Sequence, residues 1–140
     1  MLFLYPIQSD KITQPCRIGM ATGTIKTGWN LVWTNPNPSA DFASQTISLD
    51  LSRYSEIMIT ASANANDIYV NDYIMMIDGL SKIMELLINV EATDNVQIIS
   101  RRVTPTKSSV TFADAYDKAI TQNTGTVKNI RLRPYYIYAR

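Results

Sequence analysis

The sequence predicts an all-β protein: an antiparallel β-sandwich, jelly-roll-like, with an extended N-terminal segment. Apolar and polar residues alternate through Ile47, Leu49 and Leu51 and again through Ile57 and Ile59, the period-two signature of strands with one wetted face. Such runs recur at short intervals with Pro, Gly, Asn and Asp between them, which gives about eight strands. A chain of 140 residues that is 46% hydrophobic and 18% charged has the length of one domain and the composition of a packed core.

Taken in order, residues 1–28 hold Pro6, Pro15 and three of the five glycines, with apolar bursts only at Leu2 to Ile7 and Ile18 to Met20. This stretch cannot build a core of its own. It reads as an arm that crosses onto a neighbour or as a first strand beside the sheet, with Leu2 and Phe3 as interface or ligand-contact candidates. The β-sandwich domain then spans residues 29–140. In Trp29, Leu31 and Trp33 the spacing places three large side chains on one side of a strand, as core, as interface, or as plates for sugar rings. Pro36 and Pro38 stiffen the loop from Thr34 to Ala40.

The two alternating runs, separated by Ser52-Arg53, read as neighbouring strands. Ala61 to Asn66 is a turn by composition. Asp67 and Asp72 are five residues apart, on opposite faces of any strand, so they read as turn residues and not as a shared ion site. Ile74 to Val90 carries two patterns. Leu80, Ile83, Met84, Leu87 and Val90 make a helical stripe, whereas Met84, Leu86, Ile88 and Val90 make a strand face. Asp78-Gly79 is a hairpin turn signal and favours strands, with a short helix at 80–87 as the alternative. Val96 to Thr104 pairs with Ser109 to Phe112 across residues 105–108. Residues 113–126 read as a long polar loop whose Asp114 and Asp117 supply two carboxylates of a calcium site but no third. The last strand, Lys128 to Tyr138, changes phase at Pro134, as a bulge would make it do. Tyr135, Tyr136 and Tyr138 crowd its end as further interface or ligand-contact candidates.

Three stretches carry a resemblance. Trp33, Asn35, Pro36 and Pro38, followed by Phe42 to Ser52 and Tyr54, read W-x-N-P-x-P, then F-A-x-Q-T-I-S-L-D-L-S and a tyrosine. Val110 to Tyr116 and Ile130 to Tyr138 follow. Together, over roughly residues 29–140, they resemble a C-terminal module of minor structural and tail proteins from phages and prophages of low-GC Gram-positive bacteria. The resemblance implies a virion component of tail, baseplate or fibre, assembled in the bacterial cytoplasm. Its implied partners are copies of itself, as a trimer or ring, other virion proteins and a host-surface glycan.

Several chemistries are disfavoured by composition. Histidine is absent, which removes the usual base near neutral pH and every Ser-His or Cys-His nucleophile. Cys16 is the one cysteine, so neither an intrachain disulfide nor a cysteine-based zinc site can form. There is no GxxxxGK phosphate loop. A net charge of +1 generates no field for nucleic acid. Arg101, Arg102, Lys128, Arg131, Arg133 and Arg140 read as a solvated strand face. The apolar opening is interrupted by Pro6 and is too short to span a membrane. The expectation is therefore no enzyme, no cofactor or metal, no nucleic acid and no membrane insertion. The competing readings are a building block, a receptor- or glycan-binding module working through residues 34–40 and 113–126, and a carboxylate-dependent polysaccharide-cleaving enzyme.

Overall fold

A computed structural model describes residues 27–63, 70–90 and 95–140. Among these there is no helix. Nine strands form two antiparallel sheets: β1 (Asn30–Thr34), β2 (Gln45–Ser48), β3 (Glu56–Ser62), β4 (Val70–Met76), β5 (Lys82–Val90), β6 (Asn95–Pro105), β7 (Ser109–Ala119), β8 (Thr126–Val127) and β9 (Arg133–Ala139). One sheet runs β1-β9-β3-β4; the other runs β2-β7-β6-β5, with β8 also on β7. The chain is a β-sandwich. Its ends nest as in a jelly roll, β1 against β9 in one sheet and β2 against β7 in the other. Residues 1–26, including Leu2 and Phe3, lie outside the described residues, as does Asp67.

The core is supplied by the inward residues of both sheets. Ile57, Ile59 and Ala61 of β3, Ile137 and Ala139 of β9, Met84 of β5, Ile99 and Val103 of β6, and Val110 and Phe112 of β7 are all fully buried in it. Phe42, from the loop between β1 and β2, stands edge-on to Phe112 at 5.2 Å and to Trp33 at 6.2 Å, a geometry favoured by the ring quadrupoles.

Several local expectations are corrected. The two alternating runs do not pair with each other, because β2 and β3 belong to opposite sheets. Between them Leu51 is buried and the Asp50 carboxylate caps the turn, accepting from the Ser52 backbone and hydroxyl. Likewise Asp78-Gly79 is a turn but not a hairpin. Ile77 is buried in the core, and the Gly79 N–H donates to Pro105 O of the other sheet, so the chain crosses between sheets with Gly79 at φ +78°. Residues 82–90 are strand, not helix.

Asp72 is not a turn residue; it lies within β4 and accepts from Thr60 Oγ1. The polar stretch after Phe112 continues as strand to Ala119, because a register shift opposite Arg102 keeps β7 paired with β6. The last strand starts at Arg133, after a turn in which Leu132 has φ +45°. Within it the expected bulge is present: Thr60 faces Tyr136 and Ala61 faces Pro134, leaving Tyr135 extra. A second shift, at Val32 between Leu31 and Trp33, breaks the shared face expected for Trp29, Leu31 and Trp33.

Phe112→Ala removes the ring at the centre of this cluster and should lower unfolding stability by about 3–5 kcal/mol in a denaturant titration.

Candidate functional site

Strand β9 is flanked by β1 and β3, so the outer face of its sheet is laid out in cross-strand rows. One row begins at Trp29. The Arg140 guanidinium lies 4.4 Å from the Trp29 ring centre, its Nε donates to Glu56 Oε2 at 3.0 Å, and Glu56 stands opposite Met76. The next row is Leu31, Tyr138, Met58 and Ile74, in register and apolar from one edge to the other. A third is Thr34, Tyr136, Thr60 and Asp72, with Thr60 Oγ1 donating to Asp72 at 2.6 Å. Although they point away from the core, Met58 and Thr60 are buried, shielded beside Tyr138 and Tyr136. Burial first, then the Tyr136 and Asp72 charges, pushes the Tyr138 hydroxyl pKa up.

The candidates read from sequence therefore divide. Tyr136 and Tyr138 share this face, their ring centres 6.1 Å apart. Trp29 meets it through Arg140. Tyr135 is the bulged residue at its end, and Trp33 turns inward against Phe42.

At that end the proline loop is tied down. The Asn35 side chain donates to Pro134 O at 2.8 Å and accepts from the Asn37 N–H at 2.9 Å, while the Asn35 N–H donates to Tyr135 O at 2.8 Å. Arg133, 1% exposed, donates from Nη1 to Pro38 O at 2.6 Å and lies 5.9 Å from the Tyr135 ring centre. Between loop and strand a recess of about 200 Å³ is lined by Thr34, Asn35, Pro38, Ser39, Tyr135 and Tyr136.

Arg101 and Arg133 do not belong to a solvated basic face. Arg101 is 1% exposed; it donates to Ala113 O at 2.6 Å and Arg131 O at 3.2 Å and lies 5.4 Å from the Phe42 ring centre. Burial pulls its pKa down to about 10, partly offset by the Asp114 charge, so the group stays cationic at neutral pH. Asp114 accepts from Asn129 Nδ2 at 2.8 Å and the Ser44 N–H at 3.0 Å. These bonds, with the Arg101 charge, hold its pKa below the usual value. Asp117 Oδ2 accepts from Arg131 Nε at 3.1 Å. Both carboxylates read earlier as partial calcium ligands thus face protein donors, and no cluster of three His, Cys, Asp or Glu suited to a metal ion occurs among the described residues. The sequence placed Arg101 on a solvated face; the signal for its burial was its place in phase between Ile99 and Val103.

The opposite side of the sandwich is open. Edge strands β4 and β5 and the turn between them carry Val70, Ile74, Met76, Leu80, Ile83 and Leu87, six of the ten large hydrophobics exposed among the described residues. A cleft of about 570 Å³ lies on this edge, lined by Asp72, Tyr73, Ile74, Met75, Met76, Lys82 and Ile83. In the same region the Tyr73 hydroxyl is buried without a hydrogen-bond partner.

No protein-family model, curated protein or solved structure matches this chain. The arrangement offers surfaces: an aromatic sheet face, a tethered recess at one end of it, and an apolar edge on the far side.

Arg101→Ala should destabilise the fold by about 3 kcal/mol or more in denaturant unfolding, because it strands buried carbonyls as well as losing packing. Arg101→Met should recover only the packing share. Asp114, its pKa depressed in the folded state, contributes stability that is present above its ordinary value of 3.8 and is lost as pH falls through the folded value. Asp114→Asn should therefore flatten the acid limb of a stability-versus-pH curve below that value.

Proposed function

We propose that this chain is a non-catalytic β-sandwich building block that joins copies of itself along the β4–β5 edge. The exposed apolar residues concentrated on that edge carry the reading. Single exposed hydrophobics are ordinary, but Ile74, Met76 and Ile83 line one cleft, a grouping that marks a contact surface, and two unpaired edge strands beside it offer backbone donors and acceptors to another chain. The cleft adds concavity. A second copy suits the edge because a net charge of +1 produces little repulsion between copies, and symmetric closure would cover the exposed edges.

The sequence resemblance supplies the setting: a phage virion, in its tail, baseplate or fibre, assembled in the bacterial cytoplasm alongside other virion proteins and taking part in host attachment. That setting expects the gene to lie among tail and capsid genes, and a gene isolated from them would count against it.

Light scattering after size exclusion should give a mass that is a whole multiple, two or greater, of 15.8 kDa. Ile74→Lys combined with Ile83→Lys should return a folded monomer, because desolvating two introduced charges opposes association. A wild-type chain that stays monomeric at its highest soluble concentration would rule out the self-assembly reading.

A further inference from the structure

We propose that two copies join strand to strand through β4, antiparallel and centred on Tyr73, so that the β1-β9-β3-β4 sheets of both become one continuous sheet. This deepens the self-association reading above and rests on it. It differs from the trimer or ring that the resemblance implies, because a strand paired with its own copy closes at two.

Backbone parity carries the inference. The Ile77 N–H donates to Ser55 O, in the same register that sets Met75 opposite Ile57 and Tyr73 opposite Ile59. Bonded pairs recur at every second residue of an antiparallel ladder, so Asn71, Tyr73 and Met75 turn their N–H and C=O groups toward β3. Glu56 and Arg140 exchange both backbone bonds, which points the even residues of β3 at β9 and agrees with that phase. Val70, Asp72, Ile74 and Met76 therefore direct their backbone groups to the open side of β4, where no further strand follows among the described residues. Their side chains stand together on the outer face and are exposed.

That phase restricts how β4 can meet a copy. Both strands must offer even residues and their outer faces must match, so the twofold axis passes through a residue and not between two. An axis at Asp72 sets two carboxylates directly opposite each other, which is unfavourable. One at Ile74 leaves Val70 and Asn71 of each copy beyond the end of the other β4. An axis at Tyr73 pairs all seven residues of the strand. Val70 then faces Met76 of the second copy, Asp72 faces Ile74, and the two Tyr73 residues form a closely spaced pair without backbone bonds, a position that favours aromatic contact.

Strand β5 is the weaker candidate for pairing. It carries Lys82 and Glu85 where β4 carries Asp72 alone, and charge on an edge strand opposes pairing. The cleft is lined by β4 from Asp72 to Met76 but by β5 only at Lys82 and Ile83. In the joined pair β5 is covered without being the bonded strand.

Light scattering of the full chain should give an even multiple of 15.8 kDa. Ile74→Pro removes an N–H that faces away from β3, a change that an edge strand tolerates. The twofold deletes that bond twice, so the dissociation constant should rise by about tenfold or more. Glu85→Pro is the comparison: the Ile120 N–H bonds Val96 O, which by the same parity turns the Glu85 N–H away from β6, and association should be unchanged. Where Ile74→Pro is not natively folded, cysteines at exposed positions decide. In a Cys16→Ser background, Asp72→Cys mixed with Ile74→Cys should form an intermolecular disulfide on oxidation, since bonded pairs have Cα atoms about 5.5 Å apart. Ile74→Cys alone should form none. The pairing is overturned by an odd multiple of the chain mass, by natively folded Ile74→Pro that associates like the wild type, by association lost in natively folded Glu85→Pro, by a disulfide in Ile74→Cys alone, or by none in the mixture. A wild type that stays monomeric removes the self-association reading as well; each other outcome overturns the β4 pairing and leaves that reading standing.

Discussion

Two guanidinium groups, those of Arg101 and Arg133, are held out of water at 1% exposure each, and one side of the sandwich is built to answer them. A buried cation is tolerated only where its donors find acceptors. The acceptors here are the Ala113 and Arg131 carbonyls for Arg101, and the Pro38 carbonyl and the Tyr135 hydroxyl for Arg133. Meeting that demand draws the turn before β9 and the loop after β1 inward, which brings Phe42 against Phe112 and sets Tyr135 beside Pro38. The edge strands β1 and β2 are joined by this anchored loop, and the recess at the end of β9 is a product of the same tethering.

The other side has no such closure. Between β4 and β5 the chain crosses in a short turn, with backbone bonds from Ile77 to Ser55 and from Gly79 to Pro105, and the flanking strands keep large apolar side chains at the surface. A monomeric sandwich ordinarily protects such an edge with charge, proline or a covering segment. Here Lys82 and Asp78 pair with each other, and Asp72 of β4 and Glu85 of β5 are exposed among the apolar residues of the edge. This asymmetry, one side tied by buried cations and the other apolar and unpaired, separates a rigid contact recess from a surface suited to association.

Much of the sandwich was legible because period-two alternation reports directly on strands with one buried face, as in Ile57 and Ile59, although Ala61, read as the start of a turn, continues β3. The partners of those strands were not legible. Asp78-Gly79 marks a turn whether the chain folds back in its own sheet or crosses to the other, and only the burial of Ile77 distinguishes the two. The continuation of β7 past Phe112 was hidden because Ala113, Ala115 and Asp117 look like loop, yet Ala115 is the small residue that stands opposite Arg101, and Asp117 is buried because Arg131 meets it. At the candidate site, the tyrosines of β9 and the proline loop could be singled out by composition. Their meeting could not, since it depends on Arg133 reaching Pro38 across 95 positions. One-residue register shifts decide which face a side chain takes, and the shift at Val32 sends Trp33 inward while Leu31 stays out.

The central claim is that copies meet along β4 and β5. Amide hydrogen exchange followed against protein concentration tests this most directly, because it reads the backbone of each strand separately. Protection that grows with concentration on β4 and β5, while β1 and β9 stay unchanged, is the expected result. Protection that is independent of concentration everywhere, or that grows only on other strands, would contradict it.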